Sequence, residues 1–120
     1  MDSSAAELSG GMTQIVLTTF ADECSAREAV LILVNERLAA CGTMLPGARS
    51  IYAWQGRVEE SSEVVVAFKT SRAEEMVARL SEIHPYETPE ILTFRSDAAS
   101  KAYELWVESS CAQSPDSASR

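Results

Sequence analysis

The hydrophobic positions of this chain change their spacing in an order that predicts alternating strands and helices. The segment Gln14 to Phe20 is short, rich in β-branched residues and apolar on both faces, which is typical of a strand. A first helix follows, because apolar residues recur at helical spacing, and its predicted buried stripe is Val30, Leu33, Val34 and Leu38. Ser25 and Glu28 match a capping box, in which the two side chains accept hydrogen bonds from free backbone amides. We therefore expect this helix to begin at Ser25.

Two long strands joined by a tight turn are predicted next. Cys41 to Trp54 has the pattern of a strand interrupted at Pro46-Gly47, where proline lacks a ladder donor and glycine permits an unusual backbone. We expect a bulge or bend at this point. Gln55-Gly56 occupies the position of a two-residue hairpin loop. Arg57 to Thr70 then forms the third strand.

The last third of the chain predicts a helix, a strand and a helix. Ser71 and Glu74 form a second capping box, and the apolar stripe of the second helix is Met76, Val77, Leu80 and Ile83. Pro85 should end this helix, since the residue before a proline disfavours the α conformation. Pro89 to Arg95 is the fourth strand. Ala99 to Ser110 is a third helix that carries Tyr103, Trp106 and Val107 on one side.

The element order is βαββαβ with one extra C-terminal helix, which predicts an α+β fold built on one antiparallel sheet. Right-handed crossovers place both main helices on the same face of that sheet. The length of 120 residues fits one domain. We assign residues 13–111 to this domain, and residues 1–12 and 112–120 to disordered tails.

The second face of the predicted sheet needs a cover. The run Val64 to Phe68 is apolar on both faces, whereas an antiparallel sheet with one solvated face should alternate apolar and polar residues. The long hairpin also exceeds the dimensions of a domain of this size, so its tip should overhang, with Tyr52 and Trp54 as anchors for a neighbouring subunit. We expect an oligomer. The alternative is that the third helix covers the second face and the hairpin bends back at Pro46.

Composition excludes several classes of function. A formal net charge of −8 without a basic run argues against nucleic-acid binding. The longest apolar run, Ala29 to Val34, is far shorter than a membrane span. Met1 to Met12 has no Lys or Arg, unlike a signal peptide. The three cysteines lack CxxC spacing and fit reduced thiols in a cytoplasm, which predicts a cytoplasmic protein.

Two segments are too distinctive to be generic strand or helix. They are Glu36 to Gly56 (ERLAACGTMLPGARSIYAWQG) and His84 to Ile91 (HPYETPEI), and together they resemble the CutA family. That family is known as divalent-cation tolerance proteins and described as small cytosolic trimers of ferredoxin-like subunits. The resemblance, from about Gln14 to Ser110, implies a non-enzymatic ferredoxin-like homotrimer involved in divalent metal ion tolerance. Its expected trimer contacts are Tyr52, Trp54 and Trp106.

His84 is the only histidine and the first candidate for a metal ligand. Relatives for which copper ligands have been proposed use a cysteine on the first strand and two adjacent histidines before Pro-Tyr. The matching positions here are Thr18, Ile83 and His84, so the soft thiolate and one imidazole are replaced. We expect no obligatory cofactor, and copper or zinc as the divalent cation if His84 binds one. The alternative is that His84 hydrogen-bonds the end of the second helix.

The loop after His84 is a second candidate site. Tyr86, Glu87 and Glu90 place an aromatic ring and two carboxylates beside the histidine. They predict either structural hydrogen bonds and intersubunit ion pairs, or a ligand or hard-cation site completed by a neighbour. No nucleophile–base pair is identifiable around Cys24, Cys41 or Cys111, so we predict no catalytic residues and no enzymatic activity.

Two further functions stay open beside metal tolerance. A small-molecule sensor resembling the PII signalling proteins would need a basic phosphate-binding surface, and Lys69, Arg72 and Arg79 are too sparse to make one. A trimeric scaffold for partner proteins would show no metal dependence. Nucleotide motifs such as GxxxxGK[ST] and GxGxxG are absent from the sequence.

Overall fold

The computed structural model describes residues 7–112. The strands are β1 (Leu8–Gly10), β2 (Gln14–Phe20), β3 (Cys41–Trp54), β4 (Arg57–Thr70), β5 (Ile91–Arg95) and β6 (Ala98–Ser100). The helices are α1 (Glu23–Asn35), α2 (Ala73–Ile83) and α3 (Lys101–Cys111). Within these residues no helix is both long and apolar enough to cross a membrane. The predicted tails at residues 1–6 and 113–120 lie outside the described residues.

The main sheet has four antiparallel strands in the order β3-β4-β2-β5. The predicted α+β class, with an antiparallel sheet and three helices, is confirmed. A second, two-stranded sheet pairs β1 with β6. Residues Leu8–Gly10, which we expected in a disordered tail, are therefore a strand, because their backbone finds a partner in Ala98–Ser100.

The long hairpin has the predicted turn and bulge. Trp54 pairs with Arg57 across the two-residue loop, in which Gln55 (φ 50°) and Gly56 (φ 78°) both have the positive φ of a type I′ turn. The β3–β4 register shifts between Leu45 and Ala48. Pro46 and Gly47 on β3 stand there opposite the single residue Val64 on β4, which confirms the bulge expected from the sequence.

The helices do not begin where the capping-box patterns predicted. The N-cap of α1 is Asp22, whose carboxylate accepts a hydrogen bond from the Ser25 amide at 2.7 Å, so the helix begins at Glu23 instead of Ser25. The predicted stripe residue Leu38 lies beyond the end of α1, although it still packs against the core. The helix begins earlier than predicted because the carboxylate of Asp22, and not the hydroxyl of Ser25, caps its N-terminus.

The second predicted capping box, Ser71 with Glu74, is likewise absent. The N-cap of α2 is Arg72, which makes no side-chain cap. The Arg72 amide instead donates to the Thr70 hydroxyl at 2.8 Å. The end of α2 at Ile83, just before His84-Pro85, agrees with the prediction.

The C-terminal elements begin later than predicted. β5 starts at Ile91 instead of Pro89. Ala99 and Ser100, expected in the third helix, belong to β6, and α3 begins at Lys101 with Ser100 as its N-cap. Pairing with β1 holds these residues in strand conformation, and the Ser100 hydroxyl accepts from the Tyr103 amide at 3.4 Å.

The core lies between one face of the sheet and the helices α1 and α2. It is a single cluster of apolar side chains from both layers, including Val16, Phe20, Leu33, Val66, Phe68, Met76 and Leu80. A smaller cluster joins α3 to the chain that enters β3, through Ala40, Val107 and Cys111. Both main helices thus cover the same face, as predicted.

The other face of the main sheet stays open in the described chain. Alternation along the strands directs Leu45, Val65, Leu92 and Phe94 to this face. Leu45, Leu92 and Phe94 are each about half exposed. The alternative in which α3 covers this face is therefore wrong, because Val107 and Cys111 of α3 are buried against Ala40 instead. We call this surface the open face.

The hairpin beyond the bulge, residues 48–63, projects from the rest of the fold and is called the arm. The principal extents are 53 × 36 × 21 Å and the radius of gyration is 16.2 Å. A compact domain of this length has a radius of gyration of about 13 Å. The elongation agrees with the overhang predicted from the length of the two strands, and the arm does not fold back at Pro46.

Candidate functional site

His84 is a buried residue at the C-terminal end of α2. Its amide donates to the Leu80 carbonyl at 2.9 Å, which caps the helix. Only 7% of the residue is exposed. The imidazole stacks on Phe20, the last residue of β2, with 4.4 Å between ring centroids. The ring thus joins the end of α2 to the end of β2.

Both ring nitrogens of His84 have hydrogen-bond partners. Nε2 donates to the Thr19 carbonyl at 2.9 Å, and Nδ1 accepts from the Tyr86 amide at 3.1 Å. A carbonyl only accepts and an amide N–H only donates, so these bonds fix the neutral tautomer with its proton on Nε2. Burial lowers the pKa of His84 despite the opposing effects of the Thr19 carbonyl and the Glu63 carboxylate.

The side chains around His84 in one chain do not fit a copper or zinc site. Thr18 is fully buried and points to the helical face of the sheet, while Ile83 packs against the core. Among residues 7–112 there is no group of at least three His, Cys, Asp or Glu side chains placed to hold a metal ion. A metal at His84 would have to replace one of its two hydrogen bonds and take further ligands from another subunit.

The loop after His84 connects to the long hairpin through Tyr86. The Tyr86 hydroxyl donates to Glu63 Oε2 at 2.9 Å. Burial and this carboxylate raise the pKa of Tyr86 to about 12. For Glu63, partial burial acts to raise the pKa, but the Ser50, Tyr86 and Thr19 hydroxyls outweigh it and lower the pKa overall. Glu63 is therefore an ionised carboxylate held by hydroxyl donors at neutral pH.

This network lies in a cleft between the arm and the Tyr86 loop, with a volume of about 620 Å³. Three aromatic side chains line it: Tyr52, Trp54 and Tyr86. Two carboxylates line it: Glu63 and Glu90. Hydroxyl groups come from Thr19, Ser50, Ser61 and Thr88. None of the described residues that line the cleft is Lys, Arg or His. We call it the aromatic cleft.

The structure brings together only part of the predicted site. Tyr86 and Glu90 line the aromatic cleft, whereas Glu87 is exposed beside it and does not. His84 lies behind Tyr86, with 4.9 Å between their ring centroids. Glu63 was missed by sequence reasoning. The sequence around Glu63 shows only that Glu63 and Ser61 share one face of a strand. That Ser50 lies opposite Ser61 follows only from the β3–β4 register.

The predicted assembly residues divide into two groups. Tyr52 and Trp54 lie on the arm and are 44% and 60% exposed. The Tyr52 hydroxyl is 3.0 Å from Ser61 Oγ across the hairpin. Trp106 lies on α3, is 47% exposed, and sits 5.6 Å from the Tyr103 ring. All three present apolar surface to solvent in the single chain.

The basic side chains considered for a phosphate-binding surface have other partners. Arg79 binds the Glu36 carboxylate through two bonds of 2.9 Å. Arg72 pairs with Glu75 at 2.5 Å. Lys69 donates to the Thr43 hydroxyl at 2.5 Å. In the described chain each of these three basic side chains is therefore already engaged by an oxygen acceptor.

The fold defines a small α+β protein whose antiparallel sheet has one helix-covered face and one open apolar face. The family model described as CutA1 divalent ion tolerance protein matches residues 14–110, so the chain belongs to this family. It is 39% identical over 98 residues to the divalent-cation tolerance protein CutA of Pectobacterium atrosepticum, an alignment that covers 80% of this chain and 89% of the relative.

Solved structures of the family share the fold. The CutA structure from Synechococcus elongatus superposes with a TM-score of 0.86 at 31% identity, covering 91% of this chain and 99% of the other. The CutA1 structure from Pyrococcus horikoshii gives a TM-score of 0.79 at 35% identity, covering 83% and 99%. The resemblance stated from the two sequence segments is confirmed.

Proposed function

We propose that this protein serves divalent-cation tolerance as a non-enzymatic homotrimer of ferredoxin-like subunits in the cytoplasm. The tolerance role is supported by the family match and by the names of its relatives. The strand order β3-β4-β2-β5 supports the ferredoxin-like description of the subunit.

The observation that carries the assembly part is the open face. Leu45, Leu92 and Phe94 leave a large apolar area in water on one side of a four-stranded sheet. Contiguous apolar patches of this kind mark interaction surfaces in soluble proteins. Burying them against copies of the same chain stabilises the assembly by removing apolar area from water.

The arm gives the assembly a second contact region. Beyond the bulge, Ile51, Trp54 and Val58 on the two strands of the arm are largely exposed. An overhanging two-stranded ribbon is marginally stable alone, and contact with a neighbouring subunit stabilises it. Tyr52 and Trp54 are the proposed anchors on the arm, and Trp106 is the proposed contact on α3.

The assembly is tested by light scattering at micromolar concentration. We expect the wild-type protein to have a mass near three subunits. Phe94→Glu places a charge on the open face and should shift the mass towards one subunit. The matched control is Leu31→Glu on α1, which adds the same charge at an exposed apolar position of a helix and should leave the mass unchanged. A monomeric wild-type protein would refute the trimer.

The tolerance role is tested by growth under metal stress. A strain that lacks its own family member should grow poorly in excess copper or zinc and recover when it expresses this protein. If assembly is required, Phe94→Glu should fail to restore growth at equal expression, while Leu31→Glu should restore it. Failure of the wild-type protein to restore growth would contradict the tolerance role.

Metal binding by His84 stays a prediction. A metal ion would have to displace one of the hydrogen bonds that occupy the two ring nitrogens. A copper or zinc titration of the purified oligomer, beside His84→Ala, tests it. Saturable binding that weakens in the variant would place the imidazole in the site. Equal binding by both proteins would remove His84 from it, and absence of binding would favour the alternative of a scaffold without metal dependence.

A further inference from the structure

We propose that residues 7–12 form a strap that opens and closes over the first two turns of α3, and that its closure holds the proposed trimer contact Trp106 in position. The structure shows the closed state, in which β1, the strand within the strap, pairs with β6. The inference rests on the homotrimer of the proposed function, because it concerns how that assembly is regulated.

The strap is held mainly by hydrogen bonds of its backbone. β1 pairs with β6 over only three residue pairs. The Lys101 amide donates to the Glu7 carbonyl at 2.7 Å. The two large apolar side chains of the strap, Leu8 and Met12, are 69% and 62% exposed and add little burial. A short ladder with few buried apolar contacts opens at a lower cost in free energy than the core does.

Glu104 joins α3 to the strap through only one of its two carboxylate oxygens. Oε1 accepts from the Met12 amide at 2.7 Å. Oε2 is buried and has no hydrogen-bond partner among the described residues, and the whole residue is only 4% exposed. Burying a carboxylate oxygen without a donor costs free energy because its bonds to water are lost. Opening the strap gives Glu104 access to water, so this cost offsets part of the gain from closure.

The strap and α3 leave a space between them. A cleft of about 420 Å³ is lined by Gly10, Gly11 and Met12 from the strap and by Lys101, Glu104, Leu105 and Glu108 from α3. Side chains that border such a space lack the van der Waals contacts of a packed interface. Loose packing on this side therefore also favours opening.

Closure requires glycine at position 11. The backbone of Gly11 lies so close to Ser96 that a Cβ would stand 1.4 Å from the Ser96 carbonyl oxygen. No atom lies within 4 Å of a Cβ on the neighbouring Gly10. One glycine of the pair thus permits closure, and the other provides a control for it.

The strap acts on the part of α3 that carries Trp106. Its partner β6 directly precedes α3, and Ser100 at the end of β6 is the N-cap of the helix. The second half of α3 is anchored separately, through the small cluster with Ala40. Besides the strap, the Tyr103 hydroxyl makes a weak contact with Cys41 Sγ at 3.7 Å. An open strap therefore loosens the turns that present Trp106, while the second half of α3 stays docked.

Hydrogen exchange of the Lys101 amide measures the opening. This amide is in the first turn of α3, so it has no acceptor within the helix and depends on the Glu7 carbonyl. With NMR detection and correction for intrinsic rates, we expect it to exchange at least about 100-fold faster than the Val66 amide of the central strand β4. Equal rates would show that the strap opens only on global unfolding and would overturn the proposal.

Gly11→Ala should hold the strap open, because the added Cβ collides with Ser96. We expect the Lys101 amide to exchange at least about tenfold faster than in the wild type. Gly10→Ala is the matched control and should exchange as the wild type does, since its Cβ meets nothing. Equal exchange in the two variants would contradict the proposal.

Glu104→Gln should shift the strap in the opposite direction without a collision. The glutamine carbonyl keeps an acceptor for the Met12 amide, and a neutral amide costs less to bury than a carboxylate. We expect exchange of the Lys101 amide to slow about three- to tenfold. The matched control, Glu108→Gln, changes a partly buried carboxylate one turn further along α3 and should leave the rate unchanged. Faster exchange in Glu104→Gln, or the same rate in both variants, would refute the role of Glu104.

Light scattering over a dilution series tests the link to assembly. The Gly11→Ala trimer should dissociate at about tenfold higher protein concentration than the Gly10→Ala trimer, because an open strap leaves Trp106 less well positioned. Equal dissociation of the two variants would refute control of assembly by the strap. A monomeric wild-type protein would refute the trimer and with it this link, while exchange at Lys101 would still decide whether the strap opens.

Discussion

His84 is held in one protonation state by its surroundings. Thr19 and Tyr86 occupy its two nitrogens, and the Phe20 ring covers one side of the imidazole. Protonation would put a second N–H at Nδ1, facing the Tyr86 amide that now donates to it. The residue therefore links two elements as a neutral hydrogen-bonding group.

The pH dependence of stability should report this neutral state. The pKa of His84 is lowered in the folded protein, so the unfolded chain binds more protons between that value and the ordinary pKa of about 6.5. Stability is full above the ordinary pKa and falls as the pH decreases towards the folded pKa. Urea unfolding between about pH 8 and pH 5, at fixed protein concentration, measures this fall.

His84→Gln is the control for this prediction. Since His84 is the only histidine, the variant lacks imidazole titration in this range. We expect it to be less stable at neutral pH but to show a flatter dependence on pH. The same pH profile in both proteins would show that His84 is not the source.

Thr18 offers a second prediction at the residue scale. Its side chain is fully buried, and its Oγ1 has no hydrogen-bond partner among the described residues. Thr18→Val replaces the hydroxyl by a methyl of similar size, so the free energy of unfolding should rise by about 1 kcal/mol in urea titrations. The neighbouring Thr19→Val removes a hydroxyl that interacts with Glu63 and should lower stability instead. A loss of stability in Thr18→Val would contradict the prediction.

Local chemistry sets the turns and the start of α1, whereas a tertiary contact sets the start of α3. The turn Gln55-Gly56 and the bulge at Pro46-Gly47 follow from residues that only certain backbone conformations accept. The start of α1 was displaced by Asp22, and the start of α3 by pairing of β6 with β1. In α1 the pattern did not show which of two possible cap residues is used. In α3 it did not show that the first predicted residues pair with β1 as a strand.

The bulge provides a prediction at the element scale. Gly47 has φ +84°, a conformation that a Cβ strains, so Gly47→Ala should lower the free energy of unfolding by about 1–2 kcal/mol. Gly10→Ala is the control, because Gly10 has open space for a Cβ and lies in a strand. Urea unfolding of the two variants measures the difference, and equal stability would show that the bulge relaxes without strain.

The whole molecule combines a well-packed helical side with an apolar sheet surface that the single chain leaves in water. The sequence indicated this surface through strands that are apolar on both faces. The structure placed Leu92 and Phe94 in it, and showed that α3 packs elsewhere. Stability and assembly are therefore expected to be linked.

This linkage predicts that thermal stability depends on protein concentration. If the open face is buried only in an oligomer, mass action should raise the melting temperature as the concentration increases. A dilution series followed by circular dichroism measures the shift. Phe94→Glu should melt at a lower temperature with little concentration dependence, while a wild-type melting temperature independent of concentration would argue against linked assembly.

The sequence by itself determined the family, the order of the main strands and helices, the tight turn, the bulge and the excess of apolar surface on the sheet. These features are written in local periodicity and in residues with restricted backbones, so neighbours along the chain suffice. Only the tertiary structure decided the aromatic cleft and the state of His84. Glu63 meets Tyr86 through strand register and loop placement, and the His84 ring is hydrogen-bonded to a carbonyl 65 residues away in sequence. Contacts across such separations depend on the packed fold, which no local pattern records.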